Sequence, residues 1–265
     1  MILNYINWNV DPDIFSLWIF TIRYYGVLFA SSFFFGYIIM QKIFKQEELT
    51  VELLDKLTVY MAVGTVLGAR LGHCLFYQPD YYLSNPWEIL KIWHGGLASH
   101  GAAIGILISL YYFSKKNKKP YLWIVDRIAI VVALAGFFIR MGNLMNSEIY
   151  GIETSLPWGF IFVREGEIVP KHPTQIYEAL SYLALFVLLY TIYNKKGKQV
   201  RQGLLFSLFL ILLFTIRFFI EFIKNDQVRF EQGMALNMGQ WLSIPFVLIG
   251  FFFLYRSFKL KPNTE

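Results

Sequence analysis

Residues 203–223 read GLLFSLFLILLFTIRFFIEFI, and this run decides the class of fold. A helix rises 1.5 Å per residue, so about 20 mostly apolar residues cross the roughly 30 Å hydrocarbon core of a bilayer. The run has that length and carries no charge before Arg217. Its far end then breaks the pattern, with Arg217 and Glu221 embedded in apolar sequence. An arginine at a bilayer centre costs about 2.5–3.5 kcal/mol on insertion scales, and residues of this kind face the protein interior and mark function.

Working outward, comparable runs recur near 17–41, 57–77, 97–114, 121–140, 175–193 and 240–257. Seven spans predict an all-α integral membrane protein, a single polytopic domain over residues 1–265. Composition agrees. The chain is 56% hydrophobic and 16% charged, against roughly 25% charged in soluble domains. The formal net charge of +6 sits in short loops between the runs. It therefore reads as a topology signal, and nucleic acid is not an expected partner. The single cysteine, Cys74, excludes an internal disulfide and reads as packing, because His73 beside it points another way on a helix. The first twenty residues hold no Lys or Arg, so no cleavable signal peptide is expected and the first span should remain.

The loops alternate. Lys115, Lys116, Lys118 and Lys119 follow the third run, Lys195, Lys196, Lys198 and Arg201 the fifth, and Arg256, Lys259 and Lys261 the seventh. The positive-inside rule makes that side cytoplasmic, with the N-terminus outside and the C-terminus inside. Asp126 and Arg127 interrupt the fourth run early, and an interfacial position is expected for them. On the other side, Tyr81, Tyr82, Trp87 and Trp93 suit an aromatic belt. The polar, Gly-rich stretch at 141–174 is the longest loop. Such loops usually carry function or disorder, and Trp158, Phe160 and Phe162 argue against disorder.

Six ionisable residues fall within or beside the spans: Arg70, His100, Arg140, Glu178, Arg217 and Glu221. Counted from the cytoplasmic ends at 1.5 Å per residue, Arg70, Arg140 and Arg217 each reach roughly 20 Å. His100 enters from outside at about the same level. Three arginines against two glutamates leave positive charge over, which an anionic ligand would resolve. Arginine prefers forked contact with phosphate or carboxylate, and a phospholipid headgroup is the nearest phosphate. Simpler readings stand beside this one. Arg217 and Glu221 have the i,i+4 spacing of a plain helix pair, Arg70 could snorkel, and Arg140 could be an interfacial anchor. His94 and His100 are six apart, not the i,i+4 of a helical zinc pair, so neither metal nor cofactor is expected. A transporter should show broken helices or inverted repeats, and neither is visible. An intramembrane serine protease would need better geometry than the adjacent Ser99 and His100 offer.

The segments His94-Gly95-Gly96-Leu97-Ala98-Ser99-His100-Gly101 and Arg140-Met141-Gly142-Asn143-Leu144-Met145-Asn146-Ser147-Glu148-Ile149-Tyr150-Gly151 resemble the signatures of prolipoprotein diacylglyceryl transferases. So do Arg23-Tyr24-Tyr25-Gly26, Gly68-Ala69-Arg70-Leu71-Gly72, His172-Pro173-Thr174-Gln175-Ile176-Tyr177-Glu178, Arg217-Phe218-Phe219-Ile220-Glu221-Phe222 and Met238-Gly239-Gln240. The matches run in order over nearly the whole chain. The resemblance implies a bacterial inner (cytoplasmic) membrane enzyme without a cofactor. It would move a diacylglyceryl group from phosphatidylglycerol to the lipobox cysteine of a preprolipoprotein and release glycerol 1-phosphate. It implies Arg140 and Arg217 on the phosphate, and His100 as the base. Tyr25, Asn143, Asn146, Glu148 and Gly151 would line the headgroup site, with Arg70, Glu221 and His172 in support. Three positions depart from the family pattern: Ile139 where a Gly is frequent, Ala102 where a second Gly follows the histidine, and Leu213 where some members carry a tyrosine. The loop after Gly151 is also short.

Overall fold

The computed structural model describes residues 5–18, 20–92, 95–225 and 233–259. The protein is mostly helical, with α1 Tyr24–Gln46, α2 Val51–Phe76, α3 Pro79–Ser84, α4 Ser99–Asn117, α5 Tyr121–Met145, α6 Thr174–Lys196, α7 Leu204–Ile220 and α8 Met238–Lys259. Six of these, α1, α2 and α5 to α8, are long and apolar enough to cross a membrane, so this is a multi-pass helical membrane protein. The expected third span, α4, is a long helix but falls short in apolarity. It opens on Ser99-His100-Gly101 and closes on Ser114-Lys115-Lys116-Asn117.

The helices fit the all-α expectation, and four short strands stand beside them among the described residues. β1 Ile6–Trp8 pairs in parallel with β4 Phe160–Phe162, and β2 Asp13–Leu17 pairs antiparallel with β3 Phe20–Arg23. The second pair shortens the expected first span, which starts at Tyr24 rather than 17. Residues 14–22 are mostly apolar, yet a short apolar run does not by itself choose between strand and helix. Here a charged pair closes the base of a hairpin, with Arg23 Nε 3.0 Å from Asp13 Oδ1. Ser16 and Thr21 hydroxyls bond across it at 3.0 Å.

Two compact units divide the chain, 40–127 and the remainder, with the boundaries inside α1 and α5. In the first, α2 and α4 pack backbone to backbone. A Cβ on Gly68 would come within 2.4 Å of the Gly101 carbonyl oxygen, and one on Gly105 within 2.2 Å of that of Gly64. Small residues allow this approach where apolar burial alone drives little helix association. The same unit buries Asp126 and Arg127 completely, which corrects the interfacial reading. Arg127 donates from Nε (3.0 Å) and Nη2 (2.8 Å) to Glu47 Oε1, and Trp123 Nε1 donates to Glu47 Oε2 at 2.9 Å. Charges inside a membrane protein are tolerated when paired in this way. Cys74 is buried, as its packing role requires.

The second unit holds α6, α7 and α8. Phe214 stacks on Phe246 with centroids 4.4 Å apart, and Gly250 lies against Ile211. The strand pair β1/β4 packs onto the end of α5, where Leu144, Phe160 and Phe162 form a small core with Trp8, Met141, Tyr150 and Ile176 around it. Trp8 Nε1 donates to the Leu144 carbonyl at 3.0 Å. The 141–174 stretch is therefore ordered and anchored at the end of a span.

Candidate active site

Arg140 lies on the last turns of α5 and Arg217 on the last turn of α7. Glu178, on the second turn of α6, forms an ion pair with Arg140, its Oε2 2.8 Å from Nε. Its other oxygen takes Lys224 Nζ at 3.2 Å. Lys224 also meets Glu221 Oε1 at 3.3 Å, and Arg217 Nε meets that same oxygen at 3.3 Å. The five side chains make one ladder, Arg140–Glu178–Lys224–Glu221–Arg217. Three cations face two carboxylates, so one positive charge is left over.

Exposure shows where that charge is available. The Lys224, Glu178 and Glu221 side chains keep 2%, 0% and 4% of their surface, whereas Arg140 keeps 13% and Arg217 25%. Lys224 is thus spent inside the ladder, and only the two arginines can reach a ligand. The terminal nitrogens of Arg217 have no protein acceptor among the described residues. Glu221 is held from a third side by Asn237 Nδ2, at 3.1 Å from Oε2. Gly239 faces its carboxyl group so closely that a Cβ would come within 2.4 Å of Cδ.

From Arg140 the network runs into the loop. Arg140 Nη1 donates to Asn143 Oδ1 at 3.1 Å. Asn143 and Asn146 both donate to Glu148 Oε1, at 2.8 and 3.1 Å. The chain folds back through two left-handed residues, Ser147 (φ 55°) and Ile149 (φ 63°). A β-branched residue there is a genuine outlier, and such strain persists only where the surroundings enforce it. They do: Gln175 Nε2 donates to the Glu148 carbonyl at 2.7 Å and Thr174 Oγ1 to that of Ile149 at 2.9 Å. Gly151 follows in tight quarters, where a Cβ would come within 2.2 Å of the Ile223 carbonyl oxygen. Its amide donates to the His172 carbonyl at 2.8 Å. The His172 ring faces the Tyr177 hydroxyl at 3.3 Å, and burial lowers its pKa. Tyr25, on the first turn of α1, lays its ring on Gly142.

The sequence-predicted residues Tyr25, Arg140, Asn143, Asn146, Glu148, Gly151, His172, Arg217 and Glu221 therefore share one unit and one connected neighbourhood. A family model for prolipoprotein diacylglyceryl transferase matches residues 12–256. The chain belongs to that family. Among its relatives are the phosphatidylglycerol–prolipoprotein diacylglyceryl transferases of Tolumonas auensis, 49% identical over 96% of this chain and 98% of that one, and of Chloroherpeton thalassium, 46% identical over 97% and 96%. The enzyme of the same name from Wolbachia pipientis wMel is 34% identical over 97% and 98%.

His100 and Arg70 belong to the other unit. His100 is exposed on the first turn of α4. Arg70 does not snorkel. It is 2% exposed and spends its guanidinium on backbone carbonyls: Ile89 (2.9 Å, Nε), Gly95 (2.5 Å) and Gly96 (3.3 Å) from Nη1, and Glu88 from Nη2. It also lies 4.9 Å over the Tyr82 ring, so Tyr82 is buried and leaves the aromatic belt to exposed Tyr81 and Trp87. This fixes the segment that leads into α4. His94 and Trp93 lie outside the described residues.

Sequence reading missed Lys224, Gln175, Tyr182 and Asn237. Tyr182 is buried in the electrostatic reach of Arg140, Arg217 and Glu178. Lys224 stands i,i+3 from Glu221, which is a legible signal. It falls just beyond the apolar run.

Proposed function

We propose that the protein transfers the diacylglyceryl group of phosphatidylglycerol to the lipobox cysteine thiol of prolipoproteins, the first step of bacterial lipoprotein maturation. The observation that carries this is the ladder. Two partly exposed arginines from different helices end one buried ion-pair network that carries a net positive charge. A phosphate diester fits that demand in charge and in forked geometry.

The thiol proton leaves to a base, and the thiolate sulfur attacks the glyceryl carbon bonded to phosphate oxygen. The carbon–sulfur bond forms as the carbon–oxygen bond breaks, and the electron pair leaves on the oxygen of glycerol 1-phosphate. Arg140 and Arg217 stabilise that growing charge. Glu148, steadied by Asn143 and Asn146, accepts hydrogen bonds from the headgroup hydroxyls. His100 takes the thiol proton, since its ordinary pKa lies near neutrality. Arg70 supports it by holding the carbonyls of Gly95 and Gly96. Seven spans, with α4 as the seventh, place the basic loops in the cytoplasm and the 141–174 segment outside, in the bacterial inner membrane.

The test supplies purified protein with phosphatidylglycerol and a lipobox peptide. Mass spectrometry should find a thioether-linked diacylglyceryl group on the peptide, and finding none would overturn the reading. His100→Ala should slow transfer strongly with a smaller change in lipid binding. Full activity of that variant at every pH would remove His100 from the chemistry.

A further inference from the structure

A second cationic site lies at the end of α4, among residues that the arginine ladder does not use. An open cleft of about 500 Å³ is lined by Tyr111, Ser114, Lys115, Lys118, Lys119, Pro120 and Tyr121. No acidic residue lines it, and no carboxylate pairs with its three lysines among the described residues. Their ammonium groups have only loose aromatic neighbours: Lys115 Nζ is 5.6 Å from the Tyr111 centroid and Lys119 Nζ is 5.8 Å from that of Trp123. The 25-residue helix α5 begins at this rim, and a helix N-terminus adds positive potential.

Lysines that only direct topology act by charge and need no fixed geometry. These are held. Ser114 is buried, and its hydroxyl donates to the Lys119 carbonyl at 2.6 Å. Its own carbonyl accepts the amides of Lys118 and Lys119. Lys118 is thereby kept left-handed at φ 51°, a conformation unfavourable for a residue with a Cβ. The Tyr121 hydroxyl donates to the Leu107 carbonyl at 3.1 Å, and its ring meets Tyr111 edge-on. The floor of the cleft is therefore aromatic and the rim cationic. Along α4, Ile104, Leu107, Ile108 and Tyr111 continue from that floor as an apolar stripe, each between 39% and 52% exposed.

We infer that this cleft binds the phosphate of an anionic phospholipid in the cytoplasmic leaflet, with the acyl chains along the α4 stripe. The stripe is what favours a lipid over a soluble phosphate, which would use the lysines alone. Basic pockets on the cytoplasmic side of membrane helices bind anionic headgroups in this manner. The inference rests on the proposed topology, in which α4 lies in the bilayer.

Native mass spectrometry of the full chain in detergent, titrated with phosphatidylglycerol and with a zwitterionic lipid, tests it. Wild type should retain two phosphatidylglycerol molecules with chain-dependent affinity. The triple variant Lys115→Gln, Lys118→Gln, Lys119→Gln should lose one of them. At about fivefold per lysine, its affinity should fall roughly a hundredfold. It should still transfer lipid to the lipobox peptide. A control removing equal charge elsewhere, Lys116→Gln, Lys195→Gln, Lys196→Gln, should keep both. Unchanged binding in the cleft variant overturns the inference, and so does equal loss in the control. Displacement of the lipid by millimolar inorganic phosphate would make the cleft a soluble-phosphate site and overturn it as well. Arg140→Gln, Arg217→Gln should empty only the other site. If that double variant still transfers lipid, the proposed active site fails while the cleft stands.

Discussion

Arg217 and Lys224 are both cations beside Glu221, and the structure gives them different work. Arg217 pairs through Nε at 3.3 Å and keeps a quarter of its side chain accessible. A guanidinium holds its charge in a dry site and offers a fixed fork, whereas lysine gives one point contact. Arg140→Lys or Arg217→Lys should therefore cost about thirty- to a thousand-fold in lipid transfer, the range for losing one charged transition-state contact. Were Arg217 only a partner for Glu221, the double variant Arg217→Leu, Glu221→Leu would recover the activity lost in Arg217→Leu. Such a rescue would take Arg217 out of the site. Lys224, by contrast, neutralises two buried carboxylates. Lys224→Met should lower unfolding stability by about 3 kcal/mol, toward the low end for a broken buried pair because each glutamate keeps an arginine. Thermal unfolding in detergent measures this, and a midpoint equal to wild type would refute it. The arginines were legible because a charge in an apolar run is costly and stands out. The lysine's pairing with Glu221 was legible in its i,i+3 spacing, but its second partner was not, because only folding brings Glu178 to it.

At the scale of elements, apolarity located the helices well and their edges poorly. The start of the run from 17 to 41 hid one strand of a hairpin, since Leu17 and Ile22 suit a strand as well as a span. The loop from 141 to 174 proved to be partly helix and partly strand, because Leu144, Phe160 and Phe162 bury one another at the end of α5. Tyr150 joins that core, its ring stacked 4.5 Å from Phe162 and its hydroxyl donating to Glu167 Oε1 at 2.9 Å. Burial first, and then that bond to Glu167, push the phenol pKa up to about 12. The folded form thus favours the protonated phenol. Its contribution is whole below the unfolded pKa of about 10 and is lost as pH rises from there through about 12. Protease resistance of the 150–172 segment should therefore decline over that alkaline window. Tyr150→Phe keeps the ring and removes the titration, so its decline should be shallower than wild type. Identical profiles would show that the bond to Glu167 carries no such linkage.

For the whole molecule, the alternation of basic and polar loops is the strongest global signal, because insertion responds to Lys and Arg more than to any other charge. The motif order along the chain also carried the family, whose model spans residues 12–256. The expected span that apolarity does not support is α4. Its polar ends keep it outside the six helices that qualify by apolarity, yet its glycines seat it against α2 with no room for a side chain. A helix packed so closely on a spanning neighbour needs less apolar surface of its own, since part of its backbone is shielded by protein instead of lipid. If α4 crosses the bilayer, Asn85 before it and Asn117 after it lie on opposite sides, and α5 brings Glu153 back to the side of Asn85. If α4 does not cross, Asn85 and Asn117 share a side, while the loops at 114–120 and 194–202 still face the same way because α5 and α6 make two crossings between them. Single cysteines at Asn85, Asn117, Glu153 and Lys196, in a Cys74→Ala background, decide this in intact cells with a membrane-impermeant thiol reagent. The seven-span arrangement expects labelling at Asn85 and Glu153 alone, and labelling of Glu153 without Asn85 would remove α4 from the crossings. Labelling at Asn117 or Lys196 as strong as at Glu153 would break it, because two basic loops would then face the outside against the charge rule that orients every other segment.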